Sequence, residues 1–373
     1  MKLRIAINGY GRIGRSVLRA LYATGRRESF EIVAINDVTD NLSRAHLTKH
    51  DSIYGPFPAP VSLRGESLAV GEDVIPLLAV PSPGDLPWKS LGVDLVMDCT
   101  GAAATRGDAA LHLAAGADKA LLSYPGPADV DITVVYGVNH HEIRGDHRIV
   151  SNASCTTNCL IPALDVMHRS FGISKGSVTV MHTVMNDQPL LDACGSGGLR
   201  RIRAGAKSIV PVETKLASGI ARIMPSMKGR FAARALRVPV YGVSAMDITV
   251  ATERDATRDA VIEALDAAAG GYLGGVLGVC HEPLVSSDFG SDARSCVIDR
   301  PKTTLRPRPL EEPIPRPRHR GRSPRRLAYS TPLAPSCEKL PDHADDCPPQ
   351  FRRQAIPTVN QPLQVRIDPG PAA

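Results

Sequence analysis

The chain has 373 residues, 43% of them apolar, and a formal net charge of +6. That length accommodates two domains with separate cores, and no apolar run approaches the ~20 residues that a membrane span needs. The charge is local: residues 300–330 carry ten Arg and Lys against two Glu, so the remainder is slightly acidic and offers no sign of a nucleic-acid surface.

In chain order, residues 3–8 (LRIAIN) predict a short buried strand. Met-Lys-Leu-Arg leads straight into Ile5-Ala6-Ile7, which is too short for a signal-peptide core, so a cytoplasmic protein is expected. GYGRIG comes next, and the spacing of Val17, Leu18 and Leu21 predicts a helix over 15–22. Residues 30–35 (FEIVAI) predict a second strand, ending at Asn36-Asp37, and 93–97 (VDLVM) a later one, closed by Asp98-Cys99-Thr100-Gly101. A helix over 109–115 and strands over 120–123 and 132–136 complete an alternating pattern. Such alternation predicts an α/β fold with a doubly wound parallel sheet covered on both faces.

After Thr156 the pattern changes. A helix is expected from 156 or 157 to 168, then strands over 177–182, 235–240 and 244–251, with a helix over 258–268. This predicts a second domain of α+β type with a more antiparallel sheet. Near residue 300 the composition breaks, and sixteen of the 31 prolines fall after it. The expected organisation is a cofactor domain over 1–154, a catalytic domain over 155–299 and a disordered Arg/Pro-rich tail over 300–373. Arg, Pro and Ala are what a shifted frame of a GC-rich gene commonly encodes, so a frame shift near codon 300 is the reading taken for the tail.

Gly9-Tyr10-Gly11-Arg12-Ile13-Gly14 fits G-x-G-x-x-G between a strand and a helix, and Asp37 ends the next strand. That context predicts dinucleotide binding: a tight turn at Gly9, close pyrophosphate approach at Gly11 and helix–strand packing at Gly14. The Asp37 carboxylate accepts from an adenosine ribose and repels a 2′-phosphate, which favours NAD over NADP.

The eight cysteines form neither a CxxC nor a Cys/His cluster with zinc spacing, so no metal is expected. In SNASCTTNCL (151–160), Cys155 precedes the expected helix, whose N-terminus would stabilise a thiolate. Cys159, one turn later, should be buried. His182, at the end of SVTVMH, is the candidate base for Cys155.

INGYGRIGR, AIND, DCTG, SNASCTTNC, HTVMNDQ (182–188) and RVPV (237–240), in this order, resemble the glyceraldehyde-3-phosphate dehydrogenase family over about residues 1–299. The resemblance implies a phosphorylated-aldehyde dehydrogenase with Cys155 as nucleophile and His182 as base. It assigns Gly9, Gly11, Arg12, Ile13, Gly14, Asp37, Thr100 and Ser123 to NAD. It assigns Ser154, Thr156, Asp187, Thr214, Lys215 and Arg237 to the substrate, with Asp187 orienting Arg237 for bidentate contact with phosphate. It also implies a homotetramer, whose inter-subunit loop would fall at about 192–211, where CGSGG departs from the usual sequence.

Within the family, Met185 stands where glycolytic members carry a phosphate-binding Thr, and Glu213-Thr214-Lys215 stands in place of STG. These changes, with DITVVYGVN, LRRIRA, SIVPVETKLASGI and PLVSSDF, resemble the erythrose-4-phosphate dehydrogenase branch. The implied product is 4-phosphoerythronate, an early intermediate toward pyridoxal phosphate. Glyceraldehyde 3-phosphate is the alternative substrate. The family continues past this point with WCDNEWG and a long helix. The sequence has neither, its only Trp is Trp88, and a catalytically inactive relic is the further alternative.

Overall fold

The structure, a computed structural model, describes residues 2–195 and 198–305 with their side chains and the backbone of 363–370. It divides into two compact units that meet in sequence between Cys155 and Thr156.

Among the described residues the first unit contains eleven strands: β1 (Leu3–Asn8), β2 (Phe30–Asn36), β3 (His50–Asp51), β4 (Gly55–Pro56), β5 (Val61–Arg64), β6 (Ser67–Val70), β7 (Asp73–Leu78), β8 (Leu95–Asp98), β9 (Lys119–Leu122), β10 (Ile132–Thr133) and β11 (Ile149–Ser151). Nine of them form one sheet in the order β10-β11-β9-β8-β1-β2-β7-β6-β5. Pairing is parallel from β10 to β7, and the β5-β6-β7 meander adds an antiparallel edge. β1 is central, and the chain leaves it first toward β2 and later returns on its other side as β8. This reversal of strand order is the place where open α/β sheets bind ligands, at the carboxyl ends of their strands.

Helices α1 (Arg12–Ala23), α2 (Asn41–Lys49) and α3 (Arg106–Ala114) belong to this unit. α1 buries Val17, Leu18 and Leu21 on the face read from their spacing. α2 starts where the Asp40 side chain accepts from the Ser43 N–H. α3 starts at a reciprocal pairing of Thr105 with Asp108. The core joins Ile5, Ile7, Leu18, Ile35, Leu68 and Met97 from both sheet and helices.

The second unit holds β12 (Lys175–His182), β13 (Val210–Val212), β14 (Phe231–Arg237), β15 (Ala245–Ala251), β16 (Leu277–Cys280), β17 (Cys296–Asp299) and β18 (Leu363–Gly370) in the order β13-β14-β12-β15-β18-β17-β16. α5 (Leu216–Ile223) and α6 (Arg258–Gly270) lie within it, and α4 (Cys155–Phe171) crosses its boundary with the first unit. The sheet is mixed: β12–β15 and β13–β14 are antiparallel, and the other four pairings are parallel. Strand periodicity reports which face is buried, but it carries no information on direction.

Residues beyond 299 are not uniformly without structure. Arg300–Lys302 forms a 3-10 turn, and Thr303 is buried with its hydroxyl donating to the Asp299 carbonyl. The backbone of Leu363–Gly370 forms β18, parallel to both β15 and β17. Residues 306–362, on which most of the tail and frame-shift reading falls, lie outside the described residues. Among the described residues no helix is long and apolar enough to cross a membrane.

Candidate active site

In the first unit, strand register brings Asn8, Asn36 and Asp98 to one level at the carboxyl ends of β1, β2 and β8. The Asn36 amide donates to Asn8 Oδ1 at 2.8 Å, and Asn36 also exchanges hydrogen bonds with the Val80 backbone. Above them opens a cleft of about 370 Å³, lined by Gly9, Asp37, Asp98, Thr100, Ala102 and Leu111 among others.

The glycine loop enters this cleft with the geometry expected of it. Gly9 adopts φ +87°, and a Cβ there would meet Thr100 and Cys99 atoms at 2.8–2.9 Å. A Cβ on Gly14 would stand 2.3 Å from the Gly9 carbonyl oxygen, so α1 packs on β1 only without one. Nothing lies within 4 Å of a Cβ at Gly11, which is exposed and leaves open space over the loop. These features fit a dinucleotide whose pyrophosphate meets the N-terminus of α1. Arg12 has its guanidinium 2.8 Å from Asp51 and over the Tyr54 ring, and Ile13 packs against the core.

Asp37 is half-buried. Its Oδ2 accepts from the Tyr10 N–H at 2.6 Å, and Oδ1 accepts from the Thr39 N–H and hydroxyl at 2.9 and 2.8 Å. Burial pushes its pKa up, but the Thr39 and Tyr10 hydrogen bonds and the Arg44 charge outweigh it and hold the carboxyl below its usual range. Thr100 donates through both N–H and hydroxyl to Asp98 Oδ1, while Tyr124 donates to Oδ2. The Ser123 N–H donates to the Asp98 carbonyl.

Behind Asp98 lies a group the sequence did not reveal. His112 is fully buried, its Nδ1 accepts from the Trp88 indole N–H at 3.1 Å, and its Nε2 stands 3.5 Å from Asp98 Oδ2. The indole only donates, so the imidazole proton sits on Nε2 and faces the carboxylate. A mid-helix His carries no sequence signal of what it will meet.

The cysteine segment behaves as two kinds of residue. Ser154, Cys155 and Thr156 are partly exposed, whereas every neighbour from 151–153 and 157–160 is buried. Cys155 is the first residue of α4, not the residue before it, so its sulfur belongs to the helix's own N-terminal turn. Cys159 is fully buried. Burial pushes the Cys99 thiol up to about 12, which leaves it protonated and inert. Ala153 adopts φ +54°, the one non-glycine with positive φ among the described residues. Its N–H donates to Ser151 Oγ at 3.2 Å, anchoring a strained turn two residues before Cys155.

In the second unit, His182 ends β12 and Arg237 ends β14, paired in register. His182 Nδ1 lies 2.8 Å from the Thr183 carbonyl oxygen. A carbonyl only accepts, so Nδ1 carries the proton and Nε2 is the basic nitrogen. Arg237 is buried and grips Asp187 through both terminal nitrogens, at 2.7 and 2.8 Å. The Asp187 carboxyl is drawn below its usual range, the Arg237 hydrogen bonds outweighing burial. Asp187 thus holds the guanidinium in a fixed orientation through Nη1 and Nη2. Met185 is exposed, with its sulfur 3.7 Å from Arg237 Nη2. Thr214 Oγ1 accepts from the Leu216 N–H at 3.2 Å, and Lys215 is exposed just before α5.

Two family models match the chain. The NAD binding domain of glyceraldehyde 3-phosphate dehydrogenase matches residues 3–106, and the C-terminal domain of the same enzyme matches 154–311. The second match runs past residue 299, where the resemblance was expected to stop. Together they span well over half of the chain, and the first falls on the unit that carries the glycine loop and cleft. The chain belongs to the glyceraldehyde-3-phosphate dehydrogenase family and is an NAD-dependent dehydrogenase of a phosphorylated aldehyde.

Proposed function

We propose that the protein oxidises erythrose 4-phosphate to 4-phosphoerythronate through a thioester on Cys155, releasing the acid with water. The observation that carries the substrate choice is Met185. It stands beside Arg237 and offers no hydrogen-bond donor where a three-carbon substrate's phosphate would need one. A four-carbon sugar phosphate reaches one carbon further and takes its anchors elsewhere, with Arg237, Thr214 and Lys215 as the candidates.

In this reading the Cys155 thiolate forms a carbon–sulfur bond to the aldehyde carbon, and the carbonyl electron pair moves to oxygen. His182, protonated on Nδ1 toward Thr183, takes the thiol proton at Nε2, passes it to that oxygen, and takes it back from the resulting hydroxyl as the hydride leaves, so that the carbonyl of the thioester can form. NAD, when bound, supplies the acceptor for the hydride that leaves the carbon. The resulting thioester on Cys155 is cleaved by water, which restores the thiol and yields the carboxylate. Ser154 and Thr156 flank the sulfur, and Gly9, Gly11, Arg12, Ile13, Gly14, Asp37, Thr100 and Ser123 are the groups assigned to the cofactor. A cytoplasmic homotetramer completes the reading.

The test is NADH formation by the purified chain with erythrose 4-phosphate and with glyceraldehyde 3-phosphate, each with and without inorganic phosphate. Phosphate-independent turnover that prefers erythrose 4-phosphate is the expected result. Faster, phosphate-dependent turnover of glyceraldehyde 3-phosphate would replace the substrate.

A further inference from the structure

Arg44 is an unusual residue for its place. It sits inside α2, yet it is 2% exposed and makes no ion pair within 4 Å among the described residues. Instead its guanidinium donates to three backbone carbonyls. Nη1 donates to Leu78 at 2.8 Å, and Nη2 donates to both Asp37 and Thr39. A buried arginine is costly unless its donors are used; here both terminal nitrogens are spent on the end of β7 and the turn after β2, while Nε finds no partner among the described residues. The Leu78 carbonyl also accepts from the Asp37 N–H at 3.2 Å, so one oxygen ties Arg44 and Asp37 to the same point.

The chain of contacts runs on to the cleft. Thr39, held through its carbonyl by Arg44, gives two hydrogen bonds to Asp37 Oδ1. Asp37 Oδ2 in turn holds the Tyr10 N–H inside the glycine loop. One carboxylate has about four acceptor positions. Three are filled by these bonds, which leaves a single lone pair, on Oδ2, in a fixed direction. Asp37 lines the cleft together with Gly9 and Thr100.

We propose that Arg44 is a positioning residue for cofactor recognition: by clamping the carbonyls of Asp37, Thr39 and Leu78 it fixes the one free lone pair of Asp37 toward a ribose hydroxyl of NAD. The inference rests on the assignment of Asp37 to the adenosine ribose. Arg44 touches no cofactor atom in this account, and its effect passes through Thr39 and Asp37. No sequence signal marks it, because a basic residue in the middle of a surface-type helix ordinarily faces water.

The test is calorimetric, so it does not depend on turnover. Dissociation constants are measured for NAD and for its analogue lacking the adenosine 2′-hydroxyl, with the full-length chain and with Arg44→Gln and Arg44→Met. The unaltered protein is expected to favour NAD by about 10-fold or more, the range of a hydrogen bond to a charged acceptor. In Arg44→Met the preference should fall toward unity, while binding of the analogue changes less than about threefold. Arg44→Gln, which keeps amide donors near the carbonyls, should fall between them and guards against a misfolded methionine variant. In an Asp37→Asn background, Arg44→Gln should change the preference no further. An unchanged preference in folded Arg44 variants would overturn the positioning role alone. No preference in the unaltered protein would overturn the Asp37 assignment and this inference with it.

Discussion

His182 and Arg237 are the last residues of two adjacent parallel strands and stand opposite one another in register. The Val238 N–H donates to the His182 carbonyl at 2.8 Å, which locks the two strand ends together. A candidate base and a candidate anion-binding group are thus fixed by backbone pairing, and not by loops. Replacing His182 by Asn removes the basic Nε2. It should lower kcat by ~10²–10⁴-fold with little change in KM. Steady-state kinetics decide this, and an equal rise in KM would point to substrate binding instead.

Cys155 and Cys159 should separate under alkylation. In native protein at neutral pH, iodoacetamide should label Cys155 and spare Cys159, which is fully buried, and Cys99, whose thiol stays protonated. Mass spectrometry of tryptic peptides reads the outcome. Cys155→Ser should abolish NADH formation by about 10⁴-fold or more, while Cys159→Ser retains most of it. Activity surviving Cys155→Ser would remove the nucleophile from the mechanism.

Asp187 occupies the fork of a buried arginine. Asp187→Asn leaves Arg237 without its ion partner, and KM for the sugar phosphate should change by about 10-fold or more as the guanidinium reorients. Met185→Thr should move the erythrose 4-phosphate to glyceraldehyde 3-phosphate ratio of kcat/KM toward the shorter substrate. A ratio that does not move would separate Met185 from substrate choice.

The Asp98 carboxyl gives a pH dependence with a defined sign. Burial raises its pKa, but hydrogen bonds from His112 and Thr100 outweigh that and leave it below the ordinary value of about 3.9. A depressed folded pKa contributes stability that is fully present above the unfolded pKa and is lost as pH falls through the folded one. Urea midpoints should therefore fall below about pH 4, and less steeply in Asp98→Asn. Parallel acid limbs in the two proteins would show that Asp98 does not contribute to this loss.

Deleting residues 306–373 removes β18 from between β15 and β17. Two facing strand edges then lose their common neighbour. The second unit's melting temperature should drop by on the order of 5 °C or more, with hydrogen exchange accelerating at 245–251 and 296–299. Unchanged exchange at β15 would mean the sheet does not depend on the strand.

The cofactor unit was readable in the sequence because its signals are local. LRIAIN maps onto β1 residue for residue, and Gly9, Gly14 and Asp37 each answer to a backbone or packing requirement within a few positions of themselves. The meander β5-β6-β7 escaped notice because its strands are short, with β5 exposed after its first residue and β6 buried over its last three, so alternation was weak. Arg44 and His112 were illegible for a different reason. Arg44 is drawn in by Leu78, 34 residues on, and His112 by Trp88, 24 residues back, in contacts that no periodicity encodes. The ion pair of Arg237 with Asp187 was anticipated, but not that it would use both terminal nitrogens of the fork. β18 was read as part of a disordered tail because an Arg/Pro-rich segment surrounds it and Pro369 breaks its pattern. Pro369 aligns with Val250 of β15, beyond the stretch of β17 that pairs, so the missing N–H falls where only one neighbour is present.

The position of β18 also sets an order of assembly. β17 and β16 reach the rest of their sheet only through a strand that begins at residue 363. During synthesis, β12 to β15 emerge and pair early, while β16 and β17 wait as a detached parallel ribbon for a segment still being translated. The described strands of the first unit, β1 to β11, end at Ser151 and have no such delay. The ribosome would thus release a chain whose cofactor half is already folded and whose other half closes last.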